Sequence, residues 1–170
     1  MHRVFVTMGS NIAGEANMRE AVRRLALRTH VLGVSHVYQT KPVGNPDQPD
    51  FLNAAVLLET DLSPSELKSR VLQVIEQELG RLRSSDKNGP RTIDLDIVLF
   101  GEQVLNLGPR HIPDPDILRY AHVAVPLADL APDHRHPETG QTLQEIARTF
   151  AGQASVRRTT IDLHLGSERR

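Results

Sequence analysis

The alternation of hydrophobic and polar residues along the chain predicts a mixed series of strands and helices. Period-two runs and short apolar stretches predict strands over 3–8, 31–38, 51–59, 92–99 and 102–106. Apolar residues at helical spacing predict helices over 15–28, 64–79 and 142–150, with short helices in the proline-rich region 109–140. Because these elements do not follow a strict βαβ order, we expect an α+β single-domain sandwich, with a largely antiparallel or mixed sheet flanked by helices.

The length of the chain indicates one domain with two notable loops. A chain of 170 residues can bury a single core, which we place in residues 1–160, with a disordered tail at 161–170. Residues 41–50, KPVGNPDQPD, and the basic residues 80–91, GRLRSSDKNGPR, form the loops. Long irregular loops in compact domains are often functional, so both are candidates for binding segments.

Composition limits the classes of partner. The net charge is -1 and the chain has no cysteine, so neither a strongly basic nucleic-acid-binding protein nor a cysteine metal site is expected. No apolar run approaches the roughly 18 residues of a membrane helix, and the first residues lack the apolar core of a signal peptide. We therefore expect a cytoplasmic protein that binds neither nucleic acid nor membrane.

Two aspartates interrupt an otherwise apolar strand in NGPRTIDLDIVLFG, residues 88–101. Asp94 and Asp96 are two residues apart, so their side chains point to the same face of the strand. The opposite face is expected to carry Ile93, Leu95, Ile97 and Leu99. Two carboxylates this close repel each other unless a cation lies between them, and oxygen ligands suit Mg²⁺. A solvated strand face is the alternative interpretation.

Basic residues beside the aspartates favour the metal interpretation. Arg81 and Arg83 begin the basic loop and Arg91 ends it, immediately before the strand. Carboxylates that hold Mg²⁺ beside guanidinium groups that bind phosphate are the usual combination in phosphoryl transfer. The sequence alone therefore predicts a phosphoryl-transfer site.

Four blocks of sequence resemble one known family. GPRTIDLDIVLFG, which ends at residue 101, is similar to the signature of the 6-hydroxymethyl-7,8-dihydropterin pyrophosphokinases. YQTKPVGNPDQPDFLNAAVLLET, residues 38–60, resembles the family's pterin-binding loop and next strand, and QVIEQELGRLR, 73–83, its helix end and catalytic loop. Gly9-Ser10-Asn11 matches its N-terminal turn, although by itself the tripeptide indicates only a structural turn. The resemblance extends over about residues 4–140.

The resemblance implies a fold, a reaction and a set of site residues. The fold would be the ferredoxin-like pyrophosphokinase sandwich, and the reaction would transfer the diphosphoryl group of ATP to 6-hydroxymethyl-7,8-dihydropterin, giving AMP, in folate biosynthesis. Asp94 and Asp96 would hold two Mg²⁺ ions and act in catalysis with Arg81 and Arg91. The nucleotide would contact Gln73, Glu76, Arg81, Arg91, Ile97, Arg110 and Arg119. The pterin would contact Thr40, Pro42, Val43, Phe51, Asn53 and His122. We expect a monomer, with a dimer as the alternative.

The chain departs from the family pattern within IPDPDILRYAHVAVPL, residues 112–127. Asp114 stands where the family has a histidine that contacts ATP, Tyr120 where it has an arginine, and His122 where it has a second stacking aromatic residue. Either Arg110 and Arg119 supply the missing positive charge, or the protein is a divergent paralogue that binds pterin or nucleotide with little or altered catalysis. A metal-dependent phosphohydrolase that uses the same aspartates is a third hypothesis.

Overall fold

The computed structural model describes residues 1–42, 44, 46–81, 91–153 and 155–164. Two sheets contain the strands β1 (His2–Ser10), β2 (His30–Val34), β3 (Tyr38–Thr40), β4 (Phe51–Thr60), β5 (Asp94–Phe100), β6 (Leu105–Leu107), β7 (Arg110–Ile112) and β8 (Val156–Arg158). The helices are α1 (Gly14–Arg28), α2 (Pro64–Leu67), α3 (Gln73–Glu78), α4 (Ala121–Leu130) and α5 (Leu143–Arg148). A π-helical segment, Lys68–Leu72, joins α2 to α3, and a 3-10 turn covers Pro115–Ile117.

The main sheet is antiparallel throughout. Its strand order is β5-β1-β4-β3-β8. β2 pairs with the same edge of β4 as β3 does, but with residues 56–59, whereas β3 pairs with residues 51–53. β6 and β7 form a separate hairpin. The α+β class predicted from the sequence, with an antiparallel sheet flanked by helices, is confirmed. Among the helices of the described residues, none is long and apolar enough to span a membrane.

Each face of the sheet has its own hydrophobic core. The first core joins one face to α1, α2 and α3 and includes Val4, Val6, Met8, Met18, Ala21, Leu25, Leu67, Leu72 and Ile75. The second core joins the opposite face to α4 and α5 and includes Phe5, Ala55, Val98, Ala124, Leu127 and Ile146. Thr7 and Gly9 continue the second face along β1, and both remain partly exposed. One end of the second face is therefore left open.

A β-bulge in β5 corrects one prediction about the strand faces. Leu95 and Ile97 lie in the first core, as the alternation predicted, but Leu99 lies in the second core. The register moves from Phe5 opposite Leu99 to Val6 opposite Ile97, so Val98 is an extra residue on β5. One inserted residue reverses the side-chain alternation beyond it, so Leu99 faces the opposite side from the one expected.

Other elements differ from the sequence predictions for local reasons. The strand predicted over 31–38 is split into β2 and β3, because the Ala55 N–H bonds to the hydroxyl of Ser35 instead of a backbone carbonyl. The strand predicted over 102–106 begins only at Leu105, after the turn that follows Gly101. The helix over 64–79 forms with the capping box of Ser63, although it contains the π segment. Strand β8 was not predicted.

The end of the chain bears on the domain boundary. Of the tail predicted at 161–170, residues 161–164 are described, and Leu163 is only 2% exposed because it packs into the first core. Residues 165–170 lie outside the described part of the chain. The boundary at residue 160 stays a prediction.

Candidate active site

One row of residues crosses the open end of the second face. Asp94 on β5 is in register with Gly9 on β1, and Gly9 is in register with Asn53 on β4. One step along, Asp96 is in register with Thr7. Residues directly opposite each other in an antiparallel sheet share a face. The two aspartates and Asn53 therefore project from the same side of the sheet, as the two-residue spacing predicted for the aspartates.

Asp94 is held by two arginines. Its Oδ1 accepts a hydrogen bond from Arg81 Nη1 at 2.9 Å, and its Oδ2 accepts one from Arg91 Nη1 at 3.0 Å. The three side chains are 21–26% exposed, so the pairs are only partly shielded from water. Both arginines predicted to act in catalysis thus flank a predicted metal ligand.

Asp96 is held by a third arginine. Arg110 Nη1 donates to Asp96 Oδ1, and its Nη2 donates to Asp114 Oδ2 at 3.0 Å. Burial, followed by the neighbouring charge of Asp94, raises the pKa of Asp96 to about 6 against the effect of Arg110, even though 27% of the side chain is exposed. Asp114 therefore does not add an unpaired anion to the site, because Arg110 bridges it to Asp96.

Glu76 connects the helical side of the fold to β5. It is 9% exposed and accepts hydrogen bonds from Arg81 Nη1 and, at 2.9 Å, from the backbone N–H of Leu95. That N–H lies on the outer edge of β5, where no strand of the described residues pairs. Burial raises the pKa of Glu76, while the Leu95 and Arg81 hydrogen bonds oppose the shift. Glu76 thus satisfies an edge donor and orients Arg81 toward Asp94.

A partly apolar cavity lies beside Asp96. It is lined by Lys68, Leu72, Leu95, Asp96, Ile97, Leu107, Arg110 and Ile112. The π segment supplies Lys68 and Leu72, which the sequence did not single out; π segments inside helices often occur at functional sites. Two predicted nucleotide contacts, Ile97 and Arg110, are brought together here. The cavity, about 20 Å³, has room for little more than one water molecule, so it is not a base-binding pocket; it places Lys68 and Arg110 beside the Asp96 carboxylate.

The other five predicted nucleotide contacts lie outside this cavity lining: Glu76, Arg81 and Arg91, which surround Asp94, and Gln73 and Arg119. Gln73 is partly exposed at the start of α3, three residues before Glu76. Arg119 pairs with Asp116 at 3.8 Å and its side chain is 68% exposed. Within the described residues, Arg110 and not Arg119 is the arginine joined to Asp96 and Asp114.

The predicted pterin residues cluster on β3 and β4. Asn53 Nδ2 donates to Thr40 Oγ1 at 2.7 Å, and both residues are nearly buried. Phe51 lies on the same sheet face as Asn53, and its ring is next to Gly9: a Cβ built on Gly9 would lie 4.0 Å from Phe51 Cδ1. Pro42 is partly buried at the start of the loop, whereas Val43 lies outside the described residues.

The remaining predicted pterin contact, His122, begins a second aromatic surface. Its ring stacks on Tyr120 with ring centroids 5.2 Å apart and an interplanar angle of 26°. Burial lowers the pKa of His122, so the ring is neutral at pH 7. A neutral imidazole backed by a phenol ring is suited to stacking on a flat heterocycle.

Asn11 connects the segments around the site, although the sequence indicated no more than a structural turn for it. It is 7% exposed, its Nδ2 donates to Gln48 Oε1 at 2.7 Å and Pro49 O at 3.2 Å, and its Oδ1 accepts from Arg91 N at 2.7 Å. The amide thus joins the proline-rich loop to Arg91. The only sequence signal for this role was a polar residue in the turn that follows the first strand. The partners of Asn11 are remote in sequence, so that signal could not identify them.

The two aspartates fit Mg²⁺ better than a metal enclosed by protein ligands. Within the described ranges, no group of three or more histidine or acidic side chains is arranged to hold a metal ion. Mg²⁺ commonly takes one or two carboxylates and completes its shell with water and substrate phosphates. Asp94 and Asp96 supply such oxygen donors at an open sheet face, and their arginine partners can instead bind phosphate.

Comparisons with known proteins identify the family of the chain. The sequence model of the family described as 7,8-dihydro-6-hydroxymethylpterin-pyrophosphokinase matches residues 5–132. The 2-amino-4-hydroxy-6-hydroxymethyldihydropteridine pyrophosphokinase of Pseudomonas aeruginosa is 43% identical over 149 residues, which cover 86% of this chain and 90% of that protein. Its counterpart in Haemophilus influenzae is 34% identical over 160 residues, covering 92% and 98%.

A structural comparison supports the same fold. A crystal structure of Plasmodium falciparum HPPK-DHPS superposes with a TM-score of 0.74 at 12% identity, over 92% of this chain and 48% of the other. The chain thus matches about half of that longer protein, and at this identity the likeness establishes the fold alone. The family match and the two bacterial relatives decide the assignment: the chain belongs to the 7,8-dihydro-6-hydroxymethylpterin-pyrophosphokinase family.

Proposed function

We propose that the protein transfers the diphosphoryl group of ATP to 6-hydroxymethyl-7,8-dihydropterin, giving AMP and the pterin diphosphate, in folate biosynthesis. The main support is the register that aligns Asp94, Gly9 and Asn53 across one open sheet face, in a chain that belongs to this family. Nucleotide and pterin would occupy opposite ends of that row. A cytoplasmic setting and a monomeric state stay predictions.

The chemistry needs no nucleophile from the protein. The hydroxymethyl oxygen of the pterin forms a bond to the β-phosphorus of ATP, the bond from that phosphorus to the oxygen bridging to the α-phosphorus breaks, AMP leaves, and the hydroxyl proton passes to solvent. Reaction rate then depends on holding the two substrates in line and stabilising charge on the phosphoryl oxygens. The aspartates, the arginines and the pterin-contacting residues would have that positional role.

The arginines would neutralise the triphosphate. Arg81, Arg91 and Arg110 each pair with an aspartate while keeping 25–39% of the side chain exposed, so their guanidinium groups remain accessible to phosphate. Asp94 and Asp96 would hold Mg²⁺, two ions by the family resemblance, which neutralises phosphate oxygens when bound. Glu76 would keep Arg81 aimed at the site through its second hydrogen bond.

The pterin end would be formed by Phe51, Asn53 and Thr40, with His122 as a second stacking ring. Because Asn53 Nδ2 already donates to Thr40, the Asn53 amide is fixed in orientation before the substrate arrives. A fixed amide can recognise the polar edge of a heterocycle without losing side-chain entropy on binding. Val43 stays part of the proposal from the family resemblance.

The direct test is AMP formation. Incubation with ATP, Mg²⁺ and 6-hydroxymethyl-7,8-dihydropterin should give AMP and the pterin diphosphate in equal amounts. The variants Asp94→Ala and Asp96→Ala should remain folded by circular dichroism and lose about 100-fold or more of kcat, the usual effect of removing transition-state charge stabilisation. Folded wild-type protein that makes no AMP would refute the function, and full activity in both variants would refute the assignment of the aspartates.

A further inference from the structure

Gly9 occupies the middle of the row that joins the two ends of the site. It is in register with Asp94 on one side and with Asn53 on the other. Neighbouring strands are about 4.8 Å apart, so the α-carbons of Asp94 and Asn53 are separated by roughly 10 Å, with only Gly9 between them. Gly9 is partly exposed on this face, so the space above it is open to a ligand.

The fold itself does not require glycine at this position. Gly9 is in an ordinary strand conformation, outside the set of glycines with positive φ. A Cβ built on Gly9 would lie 3.6 Å from Asn53 Oδ1 and 4.0 Å from Phe51 Cδ1, which is normal van der Waals contact. Glycine within a strand weakens the strand, because it loses more conformational entropy and adds no packing. Neither backbone strain nor crowding explains its presence.

The same built Cβ shows what a side chain would obstruct. Its two nearest neighbours, Asn53 and Phe51, are both proposed pterin contacts. Gly14 is different, since a Cβ there would meet Leu52 Cδ1 at 2.8 Å and crowd the protein itself. At Gly9 the methyl group of alanine would fill unoccupied volume on the site face, beside the pterin residues and in line with the predicted metal ligand.

We propose that Gly9 is a specificity-determining position that keeps the sheet surface bare, so that a flat heterocycle with a hydroxymethyl arm can lie across β1. The inference rests on the proposed function and deepens it. The ring would lie at the Phe51 and Asn53 end, and its arm would pass over Gly9 toward the phosphates at Asp94 and Asp96. A side chain at Gly9 would lift or displace the ring and take the hydroxyl out of line with the β-phosphorus.

The test compares Gly9→Ala with the wild-type protein. We expect an unchanged or higher melting temperature, together with unchanged binding of a non-hydrolysable ATP analogue and Mg²⁺ by calorimetry. The KM for the pterin should rise about 10- to 200-fold, the range seen when one methylene group is changed in a closely fitting pocket. A split between pterin KM and nucleotide binding is a result that a merely structural role would not give.

Gly33→Ala is the matched control. Gly33 is also a strand glycine, it is in register with Leu57 four residues along β4 from Asn53, and its Cβ would meet only the Leu130 side chain at 3.3 Å. This variant should keep the wild-type pterin KM. If wild-type protein makes AMP but Gly9→Ala has an unchanged pterin KM or a lowered melting temperature, this inference alone is overturned. If wild-type protein makes no AMP, the proposed function fails and the inference fails with it.

Discussion

A buried carboxylate fixes the orientation of Arg110. Asp114 is 6% exposed, and it accepts from Arg110 Nη2 and from the backbone N–H of Asp116 at 2.9 Å. The first contact holds the guanidinium beside Asp96, and the second caps the 3-10 turn at Pro115–Ile117. One side chain therefore serves both the local fold and the charge balance of the site.

Asp114→Ala should lower both stability and nucleotide affinity. Removing a capping acceptor that also receives a charged hydrogen bond should reduce the free energy of unfolding by about 1–3 kcal/mol, measured by urea denaturation. Arg110 would lose one of its two carboxylate partners, so the KM for ATP should rise. Asp116→Ala is the control, because it removes a 44% exposed carboxylate and keeps the backbone N–H. Equal stability losses in the two variants would contradict the capping role.

At the scale of elements, side-chain hydrogen bonds hold together the segments that flank the site: the turn after β1, the proline-rich loop and the residues before β5. Asn11 follows β1 and bonds to Gln48 and Pro49 of the proline-rich loop and to Arg91 before β5. Ser10 Oγ also donates to Thr92 O across the same junction. The turn after β1 therefore sets the distance between the pterin loop and an arginine that pairs with Asp94.

Asn11→Ala should disturb both substrate sites together. The partly buried N–H of Arg91 would lose its side-chain acceptor, a change that costs about 1 kcal/mol of stability. Because both loop ends are released, the KM values for ATP and pterin should rise together in steady-state kinetics. Asn17→Ala is the control, since its exposed amide donates only to Ile12 O at the same turn. A variant in which only one KM changes would contradict the role of Asn11 as a link.

The sequence predicted the parts of this site that depend on local spacing. The two-residue interval placed Asp94 and Asp96 on one face, and the helical spacing correctly placed the start of a helix at residue 64. It could not predict contacts made across the fold: the Asn11 to Gln48 bond spans 37 positions. Nor could it find the bulge at Val98, because an inserted strand residue leaves no signature in an apolar run.

The molecule as a whole consists of a sheet with helices packed on both faces, and the helices cover only part of the second face. α4 and α5 cover the half that contains Phe5, Ala55 and Val98, and the other half is the site. Tyr38, in register with Asn53, donates from its hydroxyl to Asp129 Oδ2 at 2.7 Å and so ties the sheet to α4. This bond fixes the boundary between core and site.

Tyr38 should make the stability of the fold fall at alkaline pH. Burial, and then Asp129, raise the pKa of Tyr38 well above its ordinary value, so the folded state keeps the proton after the unfolded chain has lost it. The contribution of Tyr38 is thus complete below about pH 10 and is lost as the pH rises further, by up to about 1.4 kcal/mol per pH unit. Tyr38→Phe should be less stable than wild type at pH 8 but should lose stability less steeply between pH 10 and 11 in urea titrations.

Tyr120→Phe is the control for loss of a phenol, because its ring is 40% exposed, and this variant should keep the wild-type dependence of stability on pH. If Tyr38→Phe also keeps that dependence, the hydroxyl does not link α4 to the sheet in its protonated form.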